Sequence, residues 1–159
     1  MKQLFLIFLS CFLVSAYVQA QQSLKILDFY PGMSRDEVKV IYNKMKEVPV
    51  AQYVSLEPGQ YRDQIKIDNE FGSISNKIDI LYDDNGAVNS VTFQFRVTDI
   101  LLEAPELNHI QLAEKLSKDL GVPGFEEVSI GTGKGLEFSD GNLKLSIDSY
   151  KNIRLQKSD

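Results

Sequence analysis

The sequence predicts an α+β fold: two helices packed on one face of an antiparallel β-sheet, arranged as a degenerate tandem α-β repeat. Three observations carry this. The stretch Lys77 to Val97, KIDILYDDNGAVNSVTFQFRV, alternates apolar and polar residues about Asn85-Gly86, the pattern of a long β-hairpin. Two other stretches combine helix-capping residues with apolar residues at helical spacing. The order helix, strands, hairpin occurs twice, and Leu107-Asn108-x-x-Gln111-Leu112 echoes Met33-Ser34-x-x-Glu37-Val38 74 residues earlier.

In chain order, residues 1–20 have the layout of a secretory signal peptide. Lys2 supplies the positive start, Leu4 to Val14 the apolar run, and Val18-Gln19-Ala20 the small residues before a cut expected after Ala20. The apolar run is shorter than the ~20 residues a membrane span needs. Cys11, the single cysteine, lies inside this run and not at a lipoprotein site. Residues 21–159 are expected to form one α+β domain, periplasmic or secreted, with no stable membrane insertion after cleavage. That domain would have no cysteine, hence neither disulfides nor thiolate catalysis. Lys2 is the only charge in the leader, so 16 basic residues would face 22 acidic ones in the domain. This balance argues against nucleic acid and anionic membrane surfaces as partners, and favours steering of a basic partner.

Ile26 to Tyr30 is a short apolar lead-in. Ser34 and Glu37 form a capping box, and Met33 and Val38 occupy the positions of a hydrophobic staple. Val38, Ile41, Tyr42, Met45 and Val48 continue the stripe, so a helix is predicted over about 35–47, before Pro49. Val50 to Asp68 reads as two strands about Pro58-Gly59. The long hairpin follows, with Asn85-Gly86 as a two-residue type I′ turn. This sets Ile80 opposite Val91 and Ile78 opposite Phe93, and extends the apolar face through Phe95 and Val97. Ile100-Leu101-Leu102 is an apolar connector. A second helix is expected from Pro105 or Asn108 to Leu120, with Ile110, Ala113, Leu116 and Leu120 as its stripe and Gly121 as its C′ residue. Val128 to Ile130 and Ile153 to Leu155 flank a further hairpin. Its turn at Asp140-Gly141 would place Phe138 opposite Leu143, Leu136 opposite Leu145, and Glu137 opposite Lys144.

Motifs with chemical meaning resolve into turns. Ile130-Gly131-Thr132-Gly133-Lys134-Gly135 lacks the G-K-[ST] ending and the helix that a phosphate loop needs. Asp83-Asp84-Asn85-Gly86 lacks the alternate oxygen ligands of a calcium loop, since Leu81 and Thr92 stand at two of the positions. His109 is the single histidine, and no G-x-S-x-G segment accompanies it. No metal and no cofactor are expected, and no catalytic residue is assigned.

The segment Gly32-Met33-Ser34-x-x-Glu37-Val38 resembles the entry to the first helix in small envelope domains. These are the SmpA/OmlA outer-membrane assembly lipoproteins and the β-lactamase-inhibitor-protein-like domains. The resemblance implies helices layered on an antiparallel sheet, sometimes in tandem, acting by protein binding. The expected function is a non-enzymatic protein-binding module of the cell envelope: an assembly factor, an inhibitor or an immunity-type protein. Its partner would be another envelope protein, not nucleic acid. The alternative is a small carboxylate-dependent hydrolase, since acidic residues are plentiful. If the helices cover one sheet face, the other is expected to meet the partner through Asp79, Leu81, Thr92, Gln94, Arg96, Glu137 and Lys144.

Overall fold

A computed structural model describes residues 24–45, 52–55 (backbone only), 61–67 and 76–158. The chain runs as helix α1 (Arg35–Met45), strands β1 (Gln52–Ser55), β2 (Arg62–Lys66), β3 (Lys77–Tyr82) and β4 (Val88–Phe93), and helices α2 (Phe95–Leu101) and α3 (His109–Leu120). Strands β5 (Glu126–Ile130), β6 (Gly133–Ser139), β7 (Leu143–Asp148) and β8 (Ile153–Lys157) complete it. The strands form one eight-stranded sheet in the order β1-β2-β3-β4-β8-β7-β6-β5, with every neighbouring pair antiparallel. Two four-stranded meanders therefore meet through their last strands, β4 and β8. Among the described residues no helix is long and apolar enough to cross a membrane. The signal-peptide segment, Val48, Pro49 and the Pro58-Gly59 turn lie outside the described residues.

The core follows from alternation and register. Ile78 pairs with Phe93, Ile80 with Val91, Val91 with Leu155, Phe93 with Ile153, and Leu145 with Leu155. These residues share one face and are completely buried. Phe29 meets Phe93 edge-on, with ring centroids 5.9 Å apart. Val38 and Ile41 of α1 and Leu112, Ala113 and Leu116 of α3 belong to the same cluster. Leu136, Phe138 and Leu143 pack against it half-buried. Phe95 does not join it, and Ile110 is 53 % exposed, so both depart from the expected core. For Ile110 the apolar face of α3 is rotated, with Leu112 buried in its place.

α1 starts as the capping box dictates. The Ser34 N–H and hydroxyl donate to Glu37 Oε2 at 2.7 and 2.8 Å, and the Glu37 N–H donates to Ser34 Oγ at 3.3 Å. Tyr30 adds a third donor, its hydroxyl lying 2.6 Å from Glu37 Oε1. That hydroxyl, followed by the Ser34 N–H and hydroxyl, lowers the Glu37 pKa to about 2. Conversely, the Glu37 carboxylate raises the Tyr30 phenol above its ordinary value. Arg35 holds the helix start to the sheet, with Nε 2.8 Å and Nη2 2.5 Å from the carboxylate of Asp63, which is fully buried and also accepts from the Tyr82 hydroxyl at 2.7 Å. α3 has its own box, in which Asn108 Oδ1 accepts from the Ile110 and Gln111 N–H groups and Gln111 Oε1 accepts from the Asn108 N–H. Gly121 ends it at φ +66°.

Both hairpin turns depart from expectation. Asn85 does not take positive φ; Gly86 alone does, at +76°. The Gly86 N–H donates to the Asp83 carbonyl at 2.9 Å, and Asp83 Oδ1 accepts from the Asn85 and Ala87 N–H groups. The aspartate side chain thus organises a longer loop than the type I′ turn expected. A bulge between Leu81 and Tyr82, with Asn89 as the extra residue, then restores the expected register of Ile78 and Ile80. Lys157 Nζ lies 2.7 Å from Asp83 Oδ2, and this contact leads the causes that lower the Asp83 pKa. In the second hairpin Gly141, at φ +90°, is the first loop residue and not the second, because Asp140 Oδ1 draws in the Asn142 and Leu143 N–H groups. Pairing therefore slips by two residues. Phe138 lies opposite Leu145, Leu136 opposite Ile147, and Lys144 opposite Ser139. An even slip keeps every side chain on its expected face.

The helix count is a further correction: the described residues contain three helices, not two. β4 stops at Phe93, and Phe95 to Leu101 turn helical where a strand extension is expected. Asn152 Oδ1 accepts the Phe95 N–H at 2.9 Å from the far side of the β7–β8 turn. Lys151 Nζ ties the same turn to the Asp99 carboxylate.

Phe93→Ala should cost about 3–5 kcal/mol in urea denaturation, while Ile110→Ala should stay within about 0.5 kcal/mol. A Phe93→Ala loss below about 1 kcal/mol would contradict the assignment of faces. The Glu37 carboxylate is depressed in the folded state, so its stabilisation is present above its ordinary pKa of 4.5 and is lost as pH falls through about 2. The Tm difference between wild type and Glu37→Gln should therefore be full at neutral pH and close as pH drops across that window.

Candidate functional face of the sheet

Alternation places a second set of side chains on the sheet face opposite the core. One rung crosses seven strands in register: Gln64, Asp79, Thr92, Arg154, Ser146, Glu137 and Glu126. The next rung carries Arg62, Leu81, Ser90, Gln156 and Lys144. At ~4.8 Å between strands, the first rung spans roughly 30 Å and the second roughly 20 Å. Along β2 to β8, Leu81 on β3 and Val128 and Ile130 on β5 are the aliphatic residues with strand positions on this face, and the other positions named are polar, whereas large aliphatic residues fill the core side.

Asp79 is the electrostatic centre of this face. Its side chain is only 10 % exposed. Oδ1 accepts from Arg62 Nε at 3.0 Å, from Arg62 Nη2 at 2.6 Å and from Gln64 Nε2 at 2.6 Å. Oδ2 accepts from Gln94 Nε2 at 3.4 Å and lies 3.8 Å from Lys77 Nζ. Such a saturated carboxylate is suited to holding neighbouring cations in place. On the neighbouring strands, Arg154 Nε reaches Thr92 Oγ1 at 3.2 Å.

Of the seven residues expected on this face, Asp79, Leu81, Thr92, Glu137 and Lys144 have strand positions on it. Glu137 and Lys144 are diagonal neighbours and not directly opposite, with Lys144 Nζ 3.8 Å from Glu137 Oε1. Gln94 falls one residue beyond β4, at the N-cap of α2, and reaches the face through Asp79. Arg96 is a correction: it belongs to α2, where its guanidinium lies over the Phe95 ring, and not to the sheet. Arg62, Gln64, Lys66, Arg154 and Gln156 share the face and escaped sequence reading. The alternation of Arg62-x-Gln64-x-Lys66 against Asp63, Ile65 and Ile67 was the signal for the first three.

Elsewhere, a groove of about 680 Å³ runs between α3 and β6, lined chiefly by Ile110, Ala113, Val122, Phe125 and Leu136. Among the described residues, no group of three or more His, Cys, Asp or Glu side chains could hold a metal ion. On β5 and β6, Glu127 raises the Lys134 pKa through a 2.6 Å hydrogen bond at the sheet margin.

Comparison with known proteins adds one solved structure. A DUF4309 family protein, YjgB, from Bacillus subtilis subsp. subtilis str. 168 is similar at a TM-score of 0.43 and 7 % identity, covering 86 % of this chain and 84 % of that one. No protein-family model and no curated protein matches the chain.

Removing the central acceptor should be felt. Asp79→Ala leaves Arg62 and Lys77 without their carboxylate and should cost about 1–3 kcal/mol, less than a fully buried pair because Arg62 is 44 % exposed. Asp36→Ala, on the exposed surface of α1, should stay within about 0.5 kcal/mol in the same denaturation assay.

Proposed function

We propose that this protein is an exported, non-catalytic binding module of the cell envelope, whose polar sheet face docks a partner protein. In this reading the leader is removed after Ala20, and the two longer helices, α1 and α3, cover the apolar face. The two helix-plus-meander halves are degenerate copies joined through β4 and β8. The resemblance of the Ser34 segment to small envelope domains belongs to the same reading.

The observation that carries it is the continuous polar rung from Gln64 to Glu126. An eight-stranded sheet gives this face an extent suited to a standard protein–protein contact, about 800 Å² on one partner. Its side chains are held in fixed positions, Asp79 by four neighbours and Thr92 by Arg154. Pre-positioned polar groups lose less entropy on association than free ones. The saturation of Asp79 speaks for binding over carboxylate-based hydrolysis.

The test is capture of a partner from envelope extract by the mature protein, its N-terminus checked at Gln21 by mass spectrometry. Thr92→Arg and Ser146→Tyr place bulk in the middle of the rung and should each reduce capture by about tenfold or more. Capture retained equally by both variants would remove this face as the interface.

A further inference from the structure

The polar face is divided in charge. On β2, β3, β4 and β8 it carries four cations, Arg62, Lys66, Lys77 and Arg154, against the single carboxylate of Asp79. On β5, β6 and β7 it carries Glu126, Glu137 and Asp148 against Lys144. The first half thus holds an excess of three positive charges in a chain whose formal net charge is −5. Asp79 cannot neutralise them all, since its oxygens are already shared by Arg62, Gln64, Gln94 and Lys77.

The sharpest feature is the pair Lys66 and Lys77, directly opposite each other on adjacent strands. Among the described residues Lys66 forms no ion pair, and the one ion pair of Lys77 is its 3.8 Å contact with Asp79, at 17 % side-chain exposure. Like charges facing each other across a sheet oppose folding. Arg154, exposed two strands from Asp79, donates to Thr92 and not to a carboxylate.

We propose that this half of the face is a docking surface for an acidic segment of a partner protein. The inference rests on the face being an interface and adds the partner's charge. Charge complementarity selects the occupant: neighbouring strands ~4.8 Å apart bring the cations within reach of carboxylates on one short segment. An anionic bilayer is the poorer fit. Basic surfaces that settle on membranes add apolar anchors, and the exposed large apolar residues Val40, Tyr61, Ile100, Ile110 and Tyr150 all lie away from this side of the strands. The acidic half of the same face would repel anionic lipid, and would hold the partner's acidic segment to one side of the rung.

The test is fluorescence anisotropy of the protein with a fluorescein-labelled oligo-glutamate peptide, across a sodium chloride series. Binding should weaken steeply with salt, and Lys66→Gln/Lys77→Gln should lower affinity by about tenfold. The Tm of that variant should be at or above the wild-type value, because the opposed like charges are gone. Lys115→Gln/Lys118→Gln, on α3, should bind as wild type. No binding by wild type, an equal loss in the α3 variant, or binding only to phosphatidylglycerol vesicles would each overturn the proposal. If oligo-glutamate fails while Thr92→Arg still abolishes partner capture, the face stands and its acidic assignment falls. If Thr92→Arg leaves capture intact, the interface reading falls with it.

Discussion

The pairing of β4 with β8 is the constraint on which the rest of the structure depends. It sets Val91 against Leu155 and Phe93 against Ile153, and it turns two meanders into one sheet. Without it each half would be a four-stranded sheet with an apolar margin exposed, and the rung from Gln64 to Glu126 would break in the middle. The contact is distant in sequence, so closing it costs chain entropy that only the shared core offsets. Lys157 on Asp83 and Asn152 on the α2 start reinforce the same seam from its two ends.

Much of this fold was legible because local chemistry and burial pattern agree. Ser34 with Glu37 and Asn108 with Gln111 announce both long helices, and the alternation about Ile78, Ile80, Val91 and Phe93 announces the central hairpin. That hairpin's register came out as expected through two offsetting departures: a loop enlarged by the Asp83 side chain and a bulge at Asn89. The second hairpin has no such correction, and its register moved by two. α2 was not legible, since Phe95-Arg96-Val97 alternates like a strand and its N-terminal donor is satisfied by Asn152, 57 residues away. A cap supplied by tertiary contact leaves no trace in the local sequence.

The candidate face was legible where strands were strong and hidden where they were weak. Asp79 and Thr92 follow from the central hairpin alone. Arg62, Gln64 and Lys66 lie on a strand whose polar run masks its alternation, and Arg154 counts only once β8 is known to join β4. Neither could the total charge reveal the pattern. The chain is acidic, yet among the described residues Asp79 is the one carboxylate with a strand position on the β2–β4 and β8 part of this face, beside Arg62, Lys66, Lys77 and Arg154. The position of charge on the sheet, and not its sum, is what gives the face a direction.

In the proposed binding mode the polar face, and not the helical side, meets the partner. A photo-crosslinking amino acid placed at Thr92, compared with one at the exposed Val40 of α1, tests it in envelope extract. Docking on the polar face should give a discrete cross-linked species from position 92 and none from position 40. Cross-linking from position 40 with none from position 92 would contradict it.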